Sequence, residues 1–258
     1  MKEKIYTIPV TDAFREPSEC ALCVLEKKLE DEACEYYLGP SLMEPEHRIE
    51  TNEKGFCNKH FELLYNRQEN RLGMGLIIDT HMQKLNKEIE SIGRNHNISQ
   101  NPGTASVSLK NIFAPRKKQS STLTCDILSK ISQIISKCSM CDKINYTMDR
   151  YIDVILYLWF KEKDFREAFS SSKGFCLPHF KLLLEGTQKY LNAKQSDEFV
   201  PSLLSLQLSN LKRIQEEVNW FTLKFDYRNN DAPWGNSKDA IPRSIQKLAG
   251  FMRFSKNS

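Results

Sequence analysis

The chain has 258 residues, 37 Lys and Arg against 33 Asp and Glu, with 40% apolar and 27% charged residues. That apolar content supports one large folded domain or two small ones and excludes an unstructured chain. A formal charge of +4 is too weak to draw the chain strongly to nucleic acid or anionic lipid, and eight cysteines are too few for a disulfide-stapled miniprotein.

The first residues, Met1 to Val10, carry charges but no apolar stretch of the kind a secretory signal needs. The expectation is a cytoplasmic protein, in which paired cysteines are metal ligands or redox thiols rather than disulfides. Ile5 to Val10 has strand-like composition. Residues 21–38 read as a helix with Ser18 as its N-cap and Gly39-Pro40 as its stop. A long helical stretch follows from Asn58 to Ile92, bent or broken at Gly73 and Gly75. Its later half sets Ile78, Met82, Leu85, Ile89 and Ile92 in one stripe.

From Arg94 to Ser121 the pattern gives way to Asn, Ser, Gly, Pro and Lys, a linker containing the short basic run Arg116-Lys117-Lys118. Helical periodicity returns near Asp126 and runs to Phe225 with short interruptions. Tyr151 to Phe160 is an apolar run of ten residues, half the length of a membrane span and therefore a core helix. Leu204, Leu208, Leu211, Ile214, Val218 and Phe221 form another stripe. Ser237 and Asp239 cap a final helix that ends near Gly250. The fold class is all-α, an internally duplicated helical-hairpin bundle. It divides as a first repeat over 1–93, a linker over 94–122, a second repeat over 123–225, and an aromatic and polar tail with the last helix over 226–258.

The chemistry lies in a recurring pattern. Cys20-Ala-Leu-Cys23 is followed by Lys54-Gly-Phe-Cys57-Asn-Lys-His60, and Cys138-Ser-Met-Cys141 by Lys173-Gly-Phe-Cys176-Leu-Pro-His179. The second and third cysteines are 34 positions apart in one copy and 35 in the other. Two residues between ligands let one turn of backbone aim both side chains at a single ion, and two such pairs complete a tetrahedron. Each copy thus offers three thiols and one imidazole. Cys20, Cys23, Cys57 and His60 are expected to hold one ion, and Cys138, Cys141, Cys176 and His179 another. Zn²⁺ is the expected metal, with an iron–sulfur cluster as the alternative. Helix N-termini at the pairs favour thiolate, and the glycine before Phe-Cys permits a tight turn. Two Zn²⁺ with six thiolates would take the formal charge from +4 to +2. Four protein donors per ion mark structural rather than catalytic sites.

Other residues are less distinctive. Arg48 and Arg166 each lie 25 positions after a Cys-x-x-Cys and could support the sites from behind or cap a helix. Cys34 reads as a small core residue, Cys125 as a linker-edge residue, and His47, His81 and His96 as ordinary histidines. In the tail, Asp226, Tyr227, Arg228, Asp231 and Trp234 either wrap the core or line a ligand or partner surface. No nucleophile elbow, phosphate-cradling loop or dinucleotide fingerprint is present.

The paired Cys-x-x-Cys and Gly-Phe-Cys-x-x-His units, the opening Ile8 to Phe14 and the tail Phe225 to Ala240 resemble a bacterial family catalogued as domain of unknown function 6062. The resemblance covers nearly the whole chain. It implies a site at the eight matched Cys and His positions without assigning an activity, and its members are similar to proteins labelled as substrate-binding components of transporters. The expected role is a non-enzymatic binding or adaptor module with an unknown protein or small-molecule partner, nucleic acid not being indicated. The alternatives are an iron–sulfur or thiol-dependent redox enzyme, or a ligand-binding component associated with a membrane transporter.

Overall fold

The computed structural model describes residues 4–96 and 116–252, and these are entirely helical and irregular, with no strand among them. The chain folds into two compact units. One is formed by Met1–Leu29 with Ile144–Ser258, the other by Glu30–Lys143. These units are not the sequence halves 1–93 and 123–225. Their boundaries fall inside two helices, α2 (Ala21–Leu38) and α7 (Ser139–Lys161), each of which contributes to both units.

The first unit contains α1 (Lys4–Arg15), the start of α2, most of α7, α8 (Lys163–Ser171), α9 (Leu177–Tyr190), α10 (Ala193–Leu223) and α11 (Ala240–Ala249). The strand-like segment Ile5 to Val10 is helical. Its β-branched residues matter less than burial of Val10, Ala13 and Phe14, and Phe14 packs against Phe165, Phe169 and Phe175 with centroids 5.0–6.2 Å apart. The apolar run in α7 is a core helix as expected, with Ile152, Val154, Ile155, Leu156, Leu158 and Trp159 all buried. Gly186 of α9 lets Ile152 approach so closely that an added Cβ would lie 2.2 Å from its Cγ2. Helix α10 begins with a capping box in which Asn192 and Gln195 satisfy each other's backbone N–H. Its buried face is Phe199, Leu203, Gln207 and Ile214. The sequence stripe shares only Ile214 with this face, and its first two members, Leu204 and Leu208, are exposed.

The second unit contains the end of α2, α3 (Pro45–Lys54), α4 (Asn58–Arg67), α5 (Arg71–Asn95), α6 (Arg116–Ile135) and the start of α7. The helical stretch expected from Asn58 to Ile92 is two helices, and the break is at Gln68–Asn70 rather than at Gly73 and Gly75. Gln68 takes the left-handed conformation with φ 58°, and the Asn70 side chain caps α5 by accepting from the Gly73 N–H at 2.8 Å. Gly73 is a contact point, since an added Cβ would lie 2.4 Å from Leu42 Cδ1. In the α5 stripe Met82 and Ile89 are exposed, and the buried position is Ile77. The linker expectation also changes. Its central part, 97–115, lies outside the described residues, while 116–122 belongs to α6.

Candidate metal centres

Every ligand pair is the start of a helix. Cys57 is the N-cap of α4 and Cys176 of α9, and their carbonyls accept from Phe61 and Phe180 at 2.9 and 2.8 Å. The Cys20 and Cys138 carbonyls likewise accept from Val24 and Asp142, opening α2 and α7. Ser18 is therefore too early to be the α2 cap. The second ligand of each pair lies three residues on, so one helical turn brings the two side chains to the same point while free N–H groups favour thiolate there. Gly55 and Gly174, each two residues before a ligand, have φ 59° and 72°, the left-handed turn expected for the Gly-Phe-Cys segments.

The ligand pairs combine across the sequence halves. Centre 1 consists of Cys20, Cys23, Cys176 and His179, and centre 2 of Cys57, His60, Cys138 and Cys141; within each, the donor atoms lie within 4.8 Å of one another. The expectation that Cys20 and Cys23 join Cys57 and His60, and that Cys138 and Cys141 join Cys176 and His179, is overturned. Each centre lies within one compact unit, and the units draw their helices from both halves.

The sulfur–sulfur separations match the edges of a coordination tetrahedron, and most sulfur–nitrogen separations are somewhat shorter. Metal–sulfur bonds of about 2.3 Å and metal–nitrogen bonds of about 2.0–2.1 Å give edges of about 3.8 Å between sulfurs and about 3.6 Å between sulfur and nitrogen. In centre 1, Cys176 Sγ lies 3.9 Å from Cys20 and 3.6 Å from Cys23, and His179 Nδ1 lies 3.6, 3.4 and 3.1 Å from the sulfurs of Cys20, Cys23 and Cys176. In centre 2, Cys57 and Cys141 sulfurs are 3.7 Å apart, and His60 Nδ1 lies 3.3, 3.2 and 3.3 Å from Cys57, Cys138 and Cys141. None of the eight cysteines is in a disulfide. In both centres Nδ1 is the nitrogen turned toward the sulfurs.

Electrostatics points the same way. Burial opposes ionisation of Cys138, but hydrogen bonding to His60 and backbone N–H groups outweighs it and lowers its pKa to about 6. Burial likewise opposes protonation of His60, while Cys138 and Glu30 raise its pKa to about 9. His179 is raised to about 10 against its burial by Cys176 and Cys20. Cys20 is pushed well down despite burial, by hydrogen bonds with Cys176, Cys23 and His179. Cys23 is pushed up by hydrogen bonds with Cys176 and Cys20, and Cys141 by burial and by Cys138. One thiolate beside an imidazolium is tolerated, but three thiolates repel, and a central dication removes that conflict.

The surroundings were not legible in the sequence. His179 Nε2 lies 3.4 Å from Glu26, and His60 Nε2 lies 3.9 Å from Glu30, so α2 presents one carboxylate, four residues apart, to the outer edge of each imidazole. The signal was available as Glu26 and Glu30 one and two turns after Cys23 (Glu30 is buried). Gln207 of α10 pins the second Gly-Phe-Cys loop by donating to the Phe175 carbonyl at 2.9 Å and accepting from the Phe175 N–H at 3.0 Å. The Ser139 N–H donates to the Gly55 carbonyl at 3.1 Å and so joins the two loops of centre 2. Beside centre 1, buried Lys247 of α11 donates to the Glu19 carbonyl at 2.5 Å and to the Lys173 carbonyl, the residues flanking Cys20 and the Gly-Phe-Cys turn. The buried Glu19 carboxylate is ringed by Arg213 at 2.6 Å, Lys247 at 3.4 Å, Arg243 at 3.5 Å and Lys173 at 3.8 Å.

Arg48 and Arg166 find their partners on neighbouring helices. Arg48 donates to the Leu76 carbonyl and Thr80, tying α3 to α5, and Arg166 bonds Glu198 at 2.9 Å and lies over the Trp159 ring. Cys34 is buried, as expected, and Cys125 is exposed. His81 Nδ1 donates to the Asn52 carbonyl at 2.9 Å, His47 faces Glu44, and His96 faces Asp126. The five tail residues do not converge. Tyr227, Arg228 and Asp231 are exposed, Arg228 closes on Asp226 at 2.5 Å, and Trp234 packs on Phe221 at 5.9 Å. The loop is held by buried Lys224, which donates to the carbonyls of Asn229, Asn230 and Ala232, and by Trp220, which donates to the Pro233 carbonyl. The last helix ends at Gly250 as expected, but its N-cap is Asp239, with Ser237 donating to the Trp234 carbonyl instead.

Fold and donors together define an all-α protein with two Cys₃His groups able to hold metal. The chain belongs to the Family of unknown function (DUF6062), which it matches over residues 1–255. No curated protein and no solved structure matches it. Among the described residues no helix is long and apolar enough to cross a membrane.

Proposed function

We propose that each Cys₃His group binds one Zn²⁺ and that the two ions are structural, fastening a helical module whose role is to bind a partner rather than to catalyse a reaction. The observation that carries this reading is the pair of donor tetrahedra, whose edges fit a single ion and whose four corners are all filled by protein atoms. A catalytic zinc keeps a corner open for water or substrate. The alternative of a multi-iron cluster fits less well, because cluster ligands bind different iron atoms and stand farther apart than donors clustered within 4.8 Å. The ligands' free thiols suit the reducing cytoplasm.

Elemental analysis of anaerobically purified full-length protein tests the reading. Two zinc ions per chain and no visible absorbance are expected, since Zn²⁺ is d¹⁰. Iron with visible absorbance, or a folded chain with no metal, would overturn it.

A further inference from the structure

The two centres have the same donors but different access. At centre 1 all four ligands are buried, whereas at centre 2 Cys138 and His60 are buried and Cys57 and Cys141 are partly exposed. The α11 end closes on centre 1, where a Cβ on Gly250 would lie 4.0 Å from Cys176 Sγ and 3.9 Å from Pro178. At centre 2 the loops meet at a rim ion pair instead, Lys54 with Asp142 at 2.7 Å, both side chains in contact with solvent. The sulfurs of these two partly exposed residues are also neighbours, 3.7 Å apart. A disulfide needs about 2.05 Å, so each sulfur would move by less than an ångström.

We propose that Cys57 and Cys141 are a modification site for hydroperoxides, whose oxidation to a disulfide releases the ion of centre 2 while centre 1 keeps its own. This rests on the zinc reading above. One thiolate attacks the peroxide O–O bond, forming a sulfenic acid and releasing hydroxide or alkoxide. The second thiolate attacks that sulfur, forming the S–S bond and expelling a second hydroxide. The thiolates supply two electrons, the peroxide accepts them, and the two expelled oxyanions are neutralised by protons from the buffer acid. Cys138 and His60 alone then provide two donors, too few to retain the ion.

The test uses the zinc-loaded full chain with Cys125→Ala, which removes the exposed thiol outside both centres. Hydrogen peroxide is added stepwise beside a chromogenic zinc chelator, and disulfides are mapped by mass spectrometry after the remaining thiols are trapped. Release of one of the two ions is expected, together with a Cys57–Cys141 disulfide and reduced Cys20, Cys23 and Cys176. Dithiothreitol with added Zn²⁺ should restore the second ion. Parallel loss of both ions, loss of neither, earlier loss from centre 1, or a disulfide that leaves Cys57 and Cys141 reduced would overturn the inference. A starting preparation with fewer than two zinc ions would instead overturn the zinc reading, and the inference would fall with it.

Discussion

Centre 1 and centre 2 are built from one recipe, a Cys-x-x-Cys helix start set against a Gly-Phe-Cys-x-x-His helix start, yet they are fastened differently. Centre 1 is locked from inside. Lys247 reaches the carbonyls on either side of its ligand loops, Gln207 holds the Phe175 backbone, and the Glu19 cluster gathers four cations around one buried carboxylate. Centre 2 is joined by a backbone hydrogen bond from Ser139 to Gly55 and by an ion pair at the surface. An identical ligand set therefore does not imply identical behaviour, because the shell behind the ligands sets how rigidly and how openly they are held.

Removing a ligand should break the comparison most sharply. Structural zinc carries on the order of 10 kcal/mol of folding energy per site. Cys176→Ser is expected to halve the metal content and cause the largest loss of melting temperature, and Cys57→Ser to halve it with a smaller loss. Equal losses in calorimetry would mean that the extra shell of centre 1 contributes nothing.

Lys247→Met comes next. It withdraws a cation from a buried carboxylate and frees two loop carbonyls, at a cost of about 3 kcal/mol in chemical denaturation. An effect below about 0.5 kcal/mol would show that α11 does not brace centre 1. The pH dependence of the same cluster has a definite sign. Burial raises the pKa of Glu19, but Arg213, Lys247 and Lys173 more than compensate and hold it below the ordinary carboxylate value of 4.5. The stabilisation is therefore fully present above that value and fades as pH falls through the lower, folded-state pKa. The stability gap between wild type and Glu19→Gln should be constant near neutrality and shrink in acid; a gap that widens in acid would reverse the assignment.

Glu30→Gln and Glu26→Gln sharpen the comparison further. Each weakens the carboxylate behind one imidazole and is expected to lower zinc affinity about tenfold at that centre alone in chelator competition. Loss at the other centre would show that the carboxylates serve a different histidine. The smallest effect is expected from Arg228→Ala, an exposed side chain paired with its near neighbour Asp226. Melting temperature and metal content should stay as in wild type, whereas Lys224→Ala, which deprives three loop carbonyls of their donor, should lower the melting temperature measurably.

The helical character, the eight donors and their placement at helix starts were all legible because they depend on short spacings: three residues bring side chains together on one turn, and Gly-Phe-Cys encodes its own bend. Helix faces were less so. Leu204 and Leu208 fit a stripe as well as the buried Leu203 and Gln207 do, and the difference lies in what packs opposite. Glu19 and Lys247 looked like ordinary surface charges, 228 residues apart, until the fold brought them into one buried cluster.

Ligand partnership was the decision left to tertiary structure. A Cys-x-x-Cys can pair with either Gly-Phe-Cys-x-x-His, and chain connectivity barely discriminates. Lengthening the outer interval from the 34 residues between Cys23 and Cys57 to the 153 between Cys23 and Cys176 is about two doublings, so about 1.3 kcal/mol of loop closure. Burying one Leu or Phe side chain is worth about 1.5–3 kcal/mol, and Leu22, Phe175 and Leu183 are all fully buried in the unit that holds centre 1. Local spacing determines what a ligand pair is; long-range burial determines which pair it meets.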